Sequence, residues 1–271
     1  MTSRTFPLTA PIRLVGRIAH GSFTVHAVAD TTQARVEITA RGDQRVLEHA
    51  AVELHGCTLE VTLPRQGGIF DLPLLSRGLA RDEVDVVVTV PTGTATRIST
   101  YTAPVRIEGT IGDSDVATGA ADVEIGAVEG DLRLRYGSGT AEVGSVTGSV
   151  QARSGSGSAR FGEIGGSLTS ACGSGELVVS TAHGSVRSRA GSGGASLGAV
   201  FGDVDLVSAS GAVSIGLPGG RSAKLELLTG SGRVDSDLPV EPTATNAGRP
   251  ITVRVRTGSG DIRLVRAVHA A

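Results

Sequence analysis

The chain has 271 residues, 39 of them glycine, with no tryptophan, one methionine and a net charge of −2. Glycine does not recur every third residue, which excludes collagen, and 39% hydrophobic residues with so small a net charge exclude a disordered chain. The charge balance leaves no electrostatic footprint for nucleic acid, and no apolar run approaches the roughly 18 residues that span a bilayer.

The N-terminal stretch MTSRTFPLTAPIRLVGRIAHG carries Arg4 but no continuous apolar segment and no cleavage site of a secretory signal. A cytoplasmic location without a transmembrane segment is therefore expected. Residues 22 to 63 alternate apolar and polar side chains (Phe23, Val25, Ala27; Val36, Ile38; Val52, Leu54; Leu59, Val61, Leu63), the period of half-buried strands. They read as irregular strands that begin or cap a stack. Residues 64 to 83 break the pattern and read as a longer loop; Val84 to Val90 is a strand stopped by Pro91.

From residue 101 onward a repeat dominates. Gly137-Ser138-Gly139, Gly155-Ser156-Gly157, Gly173-Ser174-Gly175 and Gly191-Ser192-Gly193 follow one another at 18-residue spacing. Gly119-Ala120-Ala121 and Ala209-Ser210-Gly211 extend the phase, and Tyr101-Thr102-Ala103 is a degenerate first member. Counting from the first glycine, the fifth position holds Val123, Ala141, Ala159, Leu177, Ala195 and Val213, and the seventh Ile125, Val143, Phe161, Val179, Leu197 and Ile215. The fourteenth position holds Leu132, Val150, Leu168, Val186 and Val204. Each repeat is thus two short strands joined by glycine-rich turns. A hairpin of this size is not stable alone and hides its apolar face only by stacking. Stacking equivalent strands about 4.8 Å apart gives parallel sheets with equivalent side chains in columns. Turns that repeat in every coil, often at positive φ, call for glycine.

The expected fold is all-β: one parallel β-helix or β-solenoid domain over residues 1–271, with irregular strands over 1–100, regular coils over 101–229 and C-terminal coils with an inserted loop over 230–271. A β-sandwich of antiparallel hairpins is the alternative, but it requires no equal loop lengths. Gly230-Ser231-Gly232 and Gly258-Ser259-Gly260 fall out of phase because of insertions; residues 239 to 250 form a loop, and Ile251–Arg256 and Asp261–Val265 are the last strands.

The strand-Pro-Thr-Gly passage at 84 to 93, the recurring Gly-Ser-Gly units and the closing VRVRTGSGDIRLVRA resemble the bacterial putative adhesin family, a family of β-solenoids of unknown function, over nearly the whole chain. The resemblance implies a right-handed parallel β-helix. Bactofilins, cytosolic β-helices that polymerise end to end, are similar in general plan.

Catalytic constellations are absent from the sequence. The single lysine, Lys224, lies in no phosphate-binding loop, and no nucleophile elbow, HExxH or Cys-x-x-Cys occurs. No enzyme and no cofactor are expected. Acidic residues at Asp113/Asp115, Asp131 and Asp203/Asp205 stand beside turns, where they cap and solvate; a carbohydrate-active enzyme would need such carboxylates in one groove. His49, His55 and Cys57 lie close in sequence, and His55 and Cys57 would share a strand face, an incomplete zinc set. Cys172 reads as a small core residue. The outward positions of the second strand hold Arg133, Arg135, Arg153, Arg187 and Arg189, interrupted at Thr169 and Ala171. Stacking would spread them over about four coil spacings, roughly 20 Å. Such a face could hold an anionic glycan or other polyanion, or keep an exposed sheet from pairing with another chain. The expected function is a non-enzymatic adhesin-like scaffold or interaction protein, with a protein partner or a second copy at the solenoid ends or a polyanion on the arginine face, and no specific nucleic acid.

Overall fold

The structure is a computed structural model; it describes residues 1–41, 47, 50–63, 83–219, 222–238 and 250–267. No α-helix occurs among these residues, and so no helix is long and apolar enough to cross a membrane. The chain divides into two compact units, Met1–Glu129 and Gly130–Ala271.

The first unit contains β1 (Thr2–Pro7), β2 (Arg13–Ile18), β3 (Gly21–Val28), β4 (Gln33–Ala40), β5 (Ala51–His55), β6 (Thr58–Thr62), β7 (Val84–Pro91), β8 (Ala95–Thr100), β9 (Val105–Ile111), β10 (Ser114–Ala120) and β11 (Val123–Val128). One sheet has the order β1-β4-β7-β3-β9-β11, the other β10-β8-β2-β6-β5. The pairs β2–β6, β2–β8, β3–β7, β3–β9, β8–β10 and β9–β11 are parallel. Antiparallel pairing is confined to the margin, in β1–β4, β4–β7 and β5–β6. Residues 22–63 do supply that margin, with one exception. Strand β3 lies inside the sheet between β7 and β9, because Phe23 and Val25 are wholly buried and need cover on both edges. Arg4 on β1 donates from Nη1 to the Val52 carbonyl on β5 at 2.8 Å and so ties the two sheets together at their margin. Strand β1, exposed apart from a half-buried Phe6 and ending in Pro7, is a poor template for another strand.

The second unit contains β12 (Leu132–Ser138), β13 (Thr140–Val146), β14 (Val150–Ser154), β15 (Ser158–Ile164), β16 (Leu168–Ser174), β17 (Leu177–Ala182), β18 (Val186–Ser192), β19 (Ala195–Val200), β20 (Val204–Ser210), β21 (Val213–Leu217), β22 (Ala223–Ser231), β23 (Val234–Ser236), β24 (Ile251–Ser259) and β25 (Ile262–Arg266). Its sheets have the orders β13-β15-β17-β19-β21-β25-β23 and β12-β14-β16-β18-β20-β24-β22. Every pair is parallel, and Leu132, Val150, Leu168, Val186 and Val204 sit in one register, each 18 residues after the last. Parallel pairing at this constant offset removes the antiparallel sandwich and makes the architecture a β-solenoid. The next residue in that column is Val253, and Leu225 follows it. The coil formed by β24 and β25 therefore lies directly on β20 and β21, and the earlier coil of β22 and β23 lies beyond it. The broken phase of the last two Gly-Ser-Gly units is this exchange of order.

The interior is narrow. Ala152, Ser170 and Ser188 face inward in one column and Ser154, Cys172 and Ala190 in the next, leaving a cavity of only about 20 Å³, room for about one water. Cys172 is half-buried rather than fully buried; its Sγ lies 3.6 Å from the Gly157 carbonyl, and desolvation pushes the thiol pKa up. Of the Gly-Ser-Gly turns in the second unit, only third-position glycines such as Gly139, Gly175, Gly211 and Gly260 adopt a positive φ. The first-position glycines serve a different end, close stacking of backbone on backbone.

Candidate anion-binding face

Arg133, Arg135, Arg153, Arg187 and Arg189 all project outward from the second sheet of the second unit, and all are exposed. Alternation along each strand causes this: Leu132, Leu134, Val150, Ala152, Val186 and Ser188 are the buried neighbours. The register sorts the outward residues into two columns. One runs Arg133, Gln151, Thr169, Arg187, Asp205, Arg254 and Glu226; the other runs Arg135, Arg153, Ala171, Arg189, Val207, Arg256 and Leu228.

The five predicted arginines cover less than expected. Arg135 and Arg189 are three strand steps apart, about 14 Å rather than 20. Arg256, which the sequence reading missed, carries the same column to five steps, about 24 Å. Arg254 joins the other column. The signal was present: VRVRTGSG at 253–260 has the pattern of LRLRYGSG at 132–139, hidden by the exchanged order of the last coils.

The first column neutralises itself toward its far end. Arg187 Nε lies 3.5 Å from Asp205, and Arg254 Nε lies 2.8 Å from Glu226. Hydrogen bonds from Arg254 and Lys224 hold the Glu226 carboxyl below its ordinary pKa. In the second column, no ion pair or side-chain hydrogen bond engages Arg153, Arg189 or Arg256 among the described residues. Beside it runs a strip of bare backbone. A methyl on Gly155 would stand 2.7 Å from the Gly137 carbonyl oxygen, one on Gly173 2.5 Å from that of Gly155, and one on Gly191 2.6 Å from that of Gly173. Stacking thus crowds out side chains at these three positions, and Ala209 is the next residue along the strip. On the other side opens a groove of about 330 Å³ lined by Ser185, Arg187, Asp203, Asp205, Thr252 and Arg254, at the small end of the range for ligand sites. Tyr136, the aromatic residue of β12, turns inward; its hydroxyl lies 3.4 Å from the Gly157 carbonyl, and burial pushes its pKa up to about 12.

Of the acidic residues singled out in the sequence, Asp203 and Asp205 share the groove with Arg187 and Arg254. Asp131 accepts from the Ser149 amide at 2.7 Å and Asp203 from the Thr252 amide at 2.9 Å, tying turns of adjacent coils. Asp115 lies 3.9 Å from Arg97 in the first unit. His55 and Cys57 do not share a strand face. Gly56, at φ 58, turns the chain between β5 and β6, so His55 pairs with Thr58 and Cys57 stands in the turn. His55 Nε2 lies 3.3 Å from Glu53 instead. His49 falls outside the described residues, and among those residues no three His, Cys, Asp or Glu side chains are grouped to hold a metal.

A solved structure described as a "putative adhesin" from Bacteroides fragilis is similar over 97% of this chain and 96% of its own, at 13% identity and a TM-score of 0.52. A "putative adhesin" from Parabacteroides distasonis covers 97% and 96% at 13% identity, with a TM-score of 0.49. A "putative lipid binding protein" from the same organism covers 98% and 96% at 14% identity, with a TM-score of 0.46. At 13% identity the likeness to the Bacteroides fragilis structure concerns the fold alone. The sequence matches no curated protein. The family described as Toastrack DUF4097 matches residues 18–265, from the end of β2 to the last strand. With most of its length so matched, the chain belongs to the Toastrack DUF4097 family.

Proposed function

We propose that this protein is a non-enzymatic, adhesin-like scaffold whose stacked coils hold a polyanion-binding face in fixed register. The observation that carries this reading is the column Arg135, Arg153, Arg189 and Arg256, mounted on one rigid sheet, with Arg153, Arg189 and Arg256 free of ion pairs among the described residues. Guanidinium groups recognise carboxylate, sulfate and phosphate through paired N–H donors, and like charges held side by side raise the local concentration of an anionic chain. The wild-type protein is expected to be retained on immobilised heparin and to elute with salt, as a screened interaction must. The triple substitution Arg135→Ala, Arg153→Ala and Arg189→Ala should move it to the unbound fraction. Unchanged retention of the folded triple variant overturns the reading.

Self-association is the second reading, supported by the margin formed by β22 and β23. There Leu225, Leu228 and Val234 are 39%, 60% and 45% exposed. Strand β22 pairs with β24 along one edge, and its other edge meets no strand among the described residues. A nine-residue edge of this kind is a template for another strand. A surface that pairs with its own copy closes at two molecules, so a dimer is expected rather than a filament. Light scattering over a concentration series should show a monomer–dimer equilibrium that Leu225→Lys abolishes; a strict monomer at every concentration excludes it.

A further inference from the structure

We infer that the ligand of the arginine column is an extended acidic polysaccharide presenting one carboxylate per disaccharide along one face, an inference that rests on the polyanion-binding reading above. Arg135 stands one strand before Arg153; from Arg153 onward, Ala171, Arg189, Val207 and Arg256 follow in adjacent strands, so over this stretch a guanidinium recurs at every second coil. The repeat is about 10 Å, comparable to the length of one disaccharide in an extended chain. The gaps are filled by exposed side chains without charge, Ala171 and Val207. A column meant for a denser polyanion would gain from arginine at both.

The flanks fit the same class of ligand. The glycine strip leaves the arginine column standing beside open backbone, a shallow track in which a ribbon-like polymer can lie against the sheet. The groove on the opposite side offers hydroxyls at Ser185 and Thr252, carboxylates at Asp203 and Asp205 and guanidinium groups at Arg187 and Arg254. Donors and acceptors mixed in this way suit sugar hydroxyls, which are both. Single-stranded nucleic acid is a poorer fit, since its bases stack on aromatic side chains and Tyr136 is turned into the interior. A lipid surface fits less well still, because membrane-surface elements bring large apolar anchors, and beside the column's arginines stand only Val207 and Leu228.

The test compares two polymers of matched length: oligosaccharides of hyaluronan, with one carboxylate per disaccharide, and linear polyphosphate, which is far denser in charge. Unspecific attraction favours the denser chain. The inference requires the reverse: hyaluronan should bind the wild-type protein more tightly, and Arg153→Ala, Arg189→Ala and Arg256→Ala together should weaken it by about tenfold or more. Filling the gaps with Ala171→Arg and Val207→Arg should shift the preference toward polyphosphate. A wild-type preference for polyphosphate, or gap-filled and wild-type proteins with the same preference, overturns the spacing while heparin retention keeps the broader reading standing. Absence of heparin retention overturns both. Binding to phosphatidylserine vesicles or oligo-dT that exceeds binding to hyaluronan overturns the polysaccharide assignment.

Discussion

Truncating Phe23 to alanine should lower the unfolding free energy by about 3–5 kcal/mol, and Gly16 provides the means to prove why. Phe23 on β3 is wholly buried, and its ring occupies the space beside Gly16 on β2, in the facing sheet. A methyl on Gly16 would stand 2.4 Å from Phe23 Cζ and 2.7 Å from Cε2. One side chain thus spans the narrow interior because its opposite number has none. Gly16→Val alone forces the ring from its place and should cost about 1–3 kcal/mol. In the Phe23→Ala background the same valine enters the vacated space, so the two losses should not add; the coupling should reach about 1–3 kcal/mol. Denaturant unfolding of the wild type, both single variants and the double variant closes the cycle. Additive losses show that Phe23 and Gly16 do not share that space.

Gly21→Ala should be as damaging for a different reason. Gly21 opens β3 at φ 109, and an added Cβ would lie 2.0 Å from the Val84 carbonyl oxygen and 2.4 Å from the Val84 amide nitrogen. Both obstacles are backbone of the paired strand β7, so neither can swing aside. Backbone strain and overpacking together set the cost at about 3 kcal/mol or more, enough to unfold a domain of ordinary stability on mild heating. Gly56→Ala is the control. Gly56 has φ 58 and no atom within 4 Å of the added carbon, so only the left-handed backbone opposes the change, at about 1–2 kcal/mol. Thermal melts of the two variants should separate clearly; equal melting temperatures show that close approach at Val84 is not what Gly21 serves.

How much of this was legible beforehand depends on whether a residue's neighbour lies one repeat away. The columns headed by Leu132 and Ala141 could be read directly, because each strand pairs with the strand 18 residues on and the apolar alternation marks the inward face. Tyr101 belongs to the same phase, and it does lie over Gly119 as a degenerate first member should. Legibility fails where the chain leaves that rule. Arg256 stacks on Val207, 49 residues earlier, and nothing local to Arg256 announces it. Strand β3 resembles a first strand in the sequence, yet β7 and β9 flank it, since two fully buried side chains outweigh chain order. His55 and Cys57 share the strand period on paper, and a single turn at Gly56 separates them. The arginine column is an intermediate case. Five of its outward positions, Arg135 to Val207, follow from the repeat, but its pairing with an ion ladder on one side and bare backbone on the other required three dimensions.

The exchanged order of the last coils has a consequence for synthesis. Strands β14 to β21 can join the stack one at a time as they leave the ribosome, since each finds its partner already made. Strands β22 and β23 emerge before the coil that will hold them: their hydrogen-bonding partners, β24 and β25, are made after them. Until β24 and β25 have been made, the growing second unit carries a detached coil that includes Leu225, Leu227 and Leu228, and the later coil must then insert beneath one already made.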